Sequence, residues 1–206
     1  MNSAFAPWLG DKLNEGEKEE IQRVSKYYII LFSVMAIGMM LLAPEILLIM
    51  GGRSYLEAKY VMTPVAMGCV CQFLYTLYVN VEQFEKKTLG MAIASIAAAF
   101  LNYGLNALLI PKYGYIAAAY TTLVGYIFLL FIHMFLVGKL GYGNVYNNKF
   151  IVFWVAVMCV VTVGVNYLYG HSIFRYIVIV MSVMVIVAIV CIKWETTKQF
   201  IRKLFK

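Results

Sequence analysis

Six stretches of this chain, 27–43, 61–81, 89–110, 115–138, 150–169 and 176–192, contain none of its 17 basic and 10 acidic residues. Ionised side chains are costly in hydrocarbon, and a helix needs about 17–25 apolar residues to cross it. Every stretch falls in that range. Hydrophobic residues make up 63% of the chain and charged ones 13%, against about 45–50% and 25% in soluble domains. The sequence therefore predicts an all-α polytopic membrane protein, a bundle of six transmembrane helices over 27–192. Residues 1–26 are expected to form an amphipathic cytoplasmic connector, and 193–206 a basic cytoplasmic tail. A soluble enzyme, a secreted disulfide scaffold and a disordered chain are excluded.

The net charge of +7 reports topology rather than nucleic-acid binding, because cytoplasmic loops collect Lys and Arg. Threading six spans leaves Arg53, Lys59, Lys112 and Arg175 on one side and every other Lys and Arg on the opposite side. This places both termini in the cytoplasm of a cell membrane. Cys69, Cys71, Cys159 and Cys191 all fall inside spans, so no extracellular disulfide framework and no Cys-x-x-Cys metal or redox spacing is available. No cofactor or metal is expected.

Local signals refine this layout. Residues 1–10 lack the basic start and apolar core of a cleavable signal; Phe5, Pro7, Trp8 and Leu9 resemble the end of a hydrophobic element, and 11–26 a polar helix. Within that helix Glu19 and Arg23 have the favoured i,i+4 order. Span one ends at Pro44-Glu45, followed by a short apolar outer segment over 46–50 and a Gly51-Gly52-Arg53 turn. Pro64 is expected to kink span two near its outer end. Pro111-Lys112-Tyr113-Gly114 is short enough to make spans three and four antiparallel neighbours. Gly141-Tyr142-Gly143 sits in a basic loop and lacks the longer re-entrant sequence of a potassium filter.

Two groups of polar residues inside the spans are candidates for function. On span three, Ser95, Ala99, Asn102 and Asn106 fall within an arc of about 60° at 100° per residue. They face a small-residue side of span four made by Gly114, Ala118, Thr122 and Gly125. Such a seam is either helix–helix glue or the wall of a solvated substrate path. Span two carries Gln72, Tyr75, Tyr78 and Asn80, too scattered for one line but able in part to border a cavity. Tyr27, Tyr28, Tyr142, Tyr146, Tyr167 and Tyr169 fit an interfacial aromatic belt. His133 suits a proton relay by its ordinary pKa, but no acid lies within any of the six stretches to partner it. His171 is expected in a solvated outer loop, and Arg175 at the outer boundary of span six.

Several segments look like parts of one family. The runs "LLIPKYGYIAAAYTTLVGY", "LLAPEILLIMGGRSYLEAKYVMTPVAMG" and "FEKKTLGMAIASIAAAFLNYGLNALLIP" resemble blocks of bacterial polysaccharide flippases. These are the lipid-linked oligosaccharide exporters of the multidrug/oligosaccharidyl-lipid/polysaccharide superfamily. "FAPWLGDKLNEGEKEEIQRVSKYY" resembles their connector before the last helices. The similarity covers roughly residues 4–138 and is a diffuse pattern without catalytic signatures.

The resemblance implies the C-terminal lobe of a flippase, with a missing N-terminal lobe as partner. It also implies a polyprenyl-diphosphate-linked oligosaccharide as substrate and alternating access between lobes. Gln72, Tyr75, Asn80, Asn102 and Asn106 are then the expected pathway residues. Three alternatives stand beside this: a drug or cation antiporter of the same superfamily, an inactive truncated fragment, and a membrane-embedded transferase. The antiporter is disfavoured by the lack of a carboxylate in the spans, and the transferase by the lack of an acid, base or metal cluster.

Overall fold

The computed structural model describes residues 2–192, all of whose regular elements are helical. In order they are α1 (Asn2–Glu15), α2 (Lys18–Leu41), α3 (Ala43–Gly51), a 3₁₀ turn (Arg53–Ala58), α4 (Lys59–Phe84), α5 (Thr88–Tyr113), α6 (Tyr115–Val137), a π turn (Gly138–Tyr142), α7 (Asn148–Leu168) and α8 (Ser172–Ile192). Five of these, α2 and α4–α7, belong to segments long and apolar enough to cross a membrane. The sixth expected span falls on α8, whose described apolar stretch, Ser172–Ala188, is shorter. The expected basic tail, 193–206, lies outside the described residues.

Two compact units divide the chain at Gly164. In the first, α4 is the central helix and packs on α1, α2, α3, α5 and α6. Its close approach to α6 depends on Gly68, where an added Cβ would lie 3.2 Å from the Tyr126 ring. A Gly68→Leu substitution overfills that contact. It is expected to cost about 1–3 kcal/mol, read as a lower unfolding midpoint in detergent. Along α2 the buried positions Ile21, Ser25, Ile29, Ser33, Ala36 and Met40 recur every three or four residues, the spacing that keeps one helical stripe facing inward. Large apolar side chains such as Leu89, Phe100, Phe135 and Phe153 are exposed, as helices solvated by lipid require.

The N-terminal connector differs from its sequence reading. Instead of one polar helix over 11–26, α1 runs through Pro7 to Glu15, and the chain turns at Gly16, whose φ is +77°. Then α2 begins and continues directly into the first span. Lys12 ties the two helices across this turn, with Nζ 2.7 Å from Glu15 and 3.0 Å from Glu20. Phe5 and Leu9 are buried, and Phe5 packs on Tyr28 at 5.5 Å. The anticipated Glu19–Arg23 ion pair is not formed: no ion pair among the described residues includes either side chain.

The short outer segment is the helix α3, and Gly52 makes the following turn with φ +74°. Pro64 lies inside α4 without ending it, near a Thr63 hydroxyl that donates to the Tyr60 carbonyl at 3.5 Å. Gly114, at φ +69°, separates α5 from α6, which pack together. Within the second unit, Arg175 is buried in the first turn of α8 and lies 4.9 Å from the Tyr176 ring centre. His171 is exposed, between the rings of Tyr167 and Phe174.

The largest correction concerns the loop after α6. Expected as a basic loop with Tyr142 and Tyr146 in an interfacial belt, it folds back onto α4. Tyr146 is only 1% exposed. Its hydroxyl donates to the Leu77 carbonyl at 2.9 Å, and its ring meets Tyr78 edge-on at 5.1 Å. Tyr78 donates to Asn148 Oδ1 at 2.7 Å, and Asn148 Nδ2 donates to the Gly143 carbonyl at 3.0 Å. Gly141, at φ +87°, permits the reversal. Tyr142 donates to Glu85 Oε1 at 2.6 Å, and that bond raises the phenol's pKa above its ordinary 10, burial adding to it. A raised folded-state pKa means that this stabilisation is complete below pH 10 and lost as pH rises through the folded value. Tyr142→Phe is therefore expected to flatten the alkaline limb of a stability–pH profile.

Candidate functional site

Lipid-embedded helices bury ionisable groups only where something else offsets the desolvation. Near its C-terminal end α4 does so at Glu82, which is 1% exposed. Facing it from α6 is His133, 2% exposed, with Nδ1 2.8 Å from Glu82 Oε1. The second carboxylate oxygen, Oε2, is buried without a hydrogen-bond partner among the described residues. This pair overturns the expectation that no acid partners His133. The charge-free stretch stops at Val81, but α4 runs on to Phe84, so Glu82 stays on the helix and turns inward. One signal pointed there: Glu82 lies seven residues after Tyr75, two helical turns further along the same face.

Tyr75 connects the pair to the rest of that face. Its ring stacks on His133 at 5.6 Å and 19°, and on Tyr126 at 6.2 Å and 26°. Gln72, which is exposed, is within side-chain hydrogen-bonding reach of Tyr75. A polar strip of Gln72, Tyr75, His133 and Glu82 thus runs along the α4–α6 seam. Around it the packing is apolar: Ala94, Ala98 and Leu129 form a core against Tyr75, Tyr126, Phe128 and Ile132. A buried carboxylate–imidazole pair with one open acceptor can hold or pass a proton, or accept a hydrogen bond from a bound molecule.

Among the other expected pathway residues, Asn80 is buried at 5% exposure; it lies about 80° around α4 from Gln72 at 100° per residue. Asn102 and Asn106 are joined to each other instead, Asn106 Nδ2 donating to Asn102 Oδ1 at 2.8 Å. The Thr121 hydroxyl of α6 donates to Asn106 Oδ1. The Thr121–Asn106 bond crosses the α5–α6 seam, whereas the Asn106–Asn102 bond lies within α5. The face is also rotated by one residue: Ala94 and Ala98 are buried while Ser95 and Ala99 are exposed, and Thr121 faces the seam where Thr122 was expected. Gly125 takes part as expected, with Asn102 3.9 Å from the place its Cβ would occupy. Thr121→Val is expected to cost about 0.6 kcal/mol and no more than about 1.7, measured by unfolding in mixed micelles.

No group of three His, Cys, Asp or Glu that could hold a metal ion occurs among the described residues. The four cysteines are free thiols.

No known family profile matches the chain, and no solved structure does. Over 132 residues the chain is 28% identical to an uncharacterized membrane protein of Methanocaldococcus jannaschii. The match covers 64% of this chain and 26% of that protein, so the chain spans about a quarter of the length of the curated relative it matches. With its long apolar helices, the chain is a membrane protein of several membrane-crossing segments in a lipid bilayer.

Proposed function

We propose that this chain is the C-terminal part of a membrane transporter and not an enzyme. On this reading it flips polyprenyl-diphosphate-linked oligosaccharide repeat units across the cytoplasmic membrane for surface polysaccharide synthesis. The observation that carries the transporter class is the buried Glu82–His133 pair, continued by Tyr75 and Gln72. Ionisable groups inside a helix bundle mark substrate or ion pathways. The flippase substrate rests on the sequence resemblance. The small share of the Methanocaldococcus jannaschii protein that is matched suits a chain that forms one portion of a longer transporter.

In such a device a polar cleft spares sugar hydroxyls from losing their hydrogen bonds in hydrocarbon, while the polyprenyl tail stays in lipid. Gln72 and Tyr75 border the cleft, and the Glu82–His133 pair forms its buried end. Asn102, Asn106 and Asn80 hold the helices that form it. Both termini are cytoplasmic, and a second lobe completes alternating access.

A flipping assay with a lipid-linked oligosaccharide, the N-terminal lobe supplied, tests this. Gln72→Leu with Tyr75→Phe should lower turnover at least tenfold. Asn102→Ala with Asn106→Ala should lower it less than threefold once folded protein is normalised. Unchanged turnover in the first double variant would remove the strip from the pathway.

Glu82 also favours a second reading. The objection to a drug or cation antiporter was the lack of a carboxylate in the spans, and α4 supplies one. Movement of an organic cation driven by a proton gradient, abolished by Glu82→Gln without any sugar-lipid flipping, would select that reading.

A further inference from the structure

Where α2 and α7 begin, the bundle has a second polar feature that the transport strip does not use. A cavity of about 390 Å³ opens between the two helices, lined by Glu19, Arg23, Lys26, Asn147, Phe150 and Ile151 among others. Each has a legible local cause. On α2, Arg23 and Lys26 are three apart and so share a side of the helix, just before the charge-free stretch begins. On α7, Asn147 caps the helix, its Oδ1 accepting from the Phe150 N–H at 3.0 Å, which leaves its NH₂ group as a donor. Gln22 Nε2 donates to the Asn144 carbonyl at 2.7 Å and holds the preceding loop in place.

The chemistry of the cavity is cationic above and apolar below. Among the described residues neither Arg23 nor Lys26 forms an ion pair. Lys26 Nζ lies 5.1 Å from the Phe150 ring centre, and Phe150 stacks on Trp154 at 5.5 Å. Trp154 is fixed by donating to Ser33 Oγ at 2.8 Å. Buried Ile29 and Ile151 line the same cavity. Two cations outside any ion pair, one of them over an aromatic ring, at the level where the helices become apolar, are what a lipid headgroup meets at an interface.

We propose that this cavity binds the headgroup of an anionic glycerophospholipid, its phosphodiester held by Arg23, Lys26 and the Asn147 amide. Charge selects the ligand. Two cations and the Glu19 carboxylate leave a single positive charge, the complement of one phosphodiester rather than of a diphosphate. Size agrees, because the volume is at the small end of ligand pockets, ample for a headgroup and too small for an oligosaccharide. The proposal does not depend on the transporter reading and survives or fails separately from it.

Binding is tested on the full chain in neutral detergent with four probes: dihexanoyl phosphatidylglycerol, dihexanoyl phosphatidylcholine, glycerol 3-phosphate and farnesyl diphosphate. Saturable binding of phosphatidylglycerol is expected, weaker at high salt and at least tenfold tighter than that of the other three. Arg23→Gln with Lys26→Gln should weaken it roughly thirtyfold, at about 1 kcal/mol per cation near an anionic surface. Arg23→Lys with Lys26→Arg keeps both charges and should stay within about threefold. Arg53→Gln with Lys112→Gln, which removes two cations elsewhere, should leave binding unchanged.

Equal binding of phosphatidylcholine, or no salt dependence, would overturn the proposal. Glycerol 3-phosphate binding as tightly would make the site one for soluble anions, and preference for the diphosphate would make it a substrate portal; either contradicts it. If the glutamine pair does not fold, the salt dependence and the charge-swapped pair decide.

Discussion

Replacing His133 with leucine is expected to destabilise the folded chain by about 3–5 kcal/mol, because it leaves the buried Glu82 carboxylate with no partner on either oxygen. The side chain lost is not the main cost. Glu82 Oε2 already lacks a partner among the described residues, and Oε1 depends on the imidazole at 2.8 Å. Removing both polar groups should therefore restore what removing one destroys. Glu82→Met with His133→Leu is expected to be neutral, or more stable than the native chain by as much as about 4 kcal/mol. The measurement is a double-mutant cycle on unfolding in mixed micelles, which isolates the pairwise energy. Two additive single-variant effects would mean that the groups do not form a pair. A double variant that is stable yet transport-inactive would show that the pair is kept for function and not for folding.

The second large effect is expected at Tyr146. Truncation to alanine empties a fully buried ring site against Tyr78, removes the additional hydrogen bond to the Leu77 carbonyl and should cost about 3–5 kcal/mol. Tyr146→Phe keeps the ring and removes only the 2.9 Å hydrogen bond, so about 1 kcal/mol is expected. The consequence is local as well as global. With the ring gone, the loop loses its seat on α4, and the Tyr142–Glu85 and Tyr78–Asn148 bonds lose their alignment. Limited proteolysis reads this directly: cleavage around Lys139 should speed up strongly in Tyr146→Ala and little in Tyr146→Phe. Equal cleavage in both variants and the native chain would contradict a docked loop.

What the amino-acid order revealed, and what it hid, divides along physical lines. Runs without charge are legible because hydrocarbon tolerates so few ionised groups, and each of the six runs lies largely within one helix. Ends were harder to read. A helix does not stop where its residues cease to be apolar, and Glu82 lies one position beyond the uncharged run yet two residues before α4 ends at Phe84. Partnership was harder still, since His133 and Glu82 are 51 residues apart and only the α4–α6 packing brings them together. Asn102 and Asn106 stand on the seam as read, but the small residues before them and the facing threonine were misjudged by one position, because a step of 100° cannot be resolved until the neighbouring helix is known. Burial of Tyr146 rests on contacts with residues about 70 positions away, for which an interfacial tyrosine and a core tyrosine look alike in sequence. Gly16 and Gly141 could be read as turn formers, but not as the points where α1 and the loop fold back.

Central to this account is an acid–imidazole pair sealed between two lipid-embedded helices. The chain has 2 histidines, so ¹⁵N-histidine labelling of the His171→Gln variant in lipid nanodiscs isolates the His133 ring. The account predicts a ring Nδ1 signal that exchanges slowly with water and moves on Glu82→Gln but not on Glu85→Gln. A ring that exchanges as fast as exposed His171 in the native chain, and ignores Glu82→Gln, would contradict it.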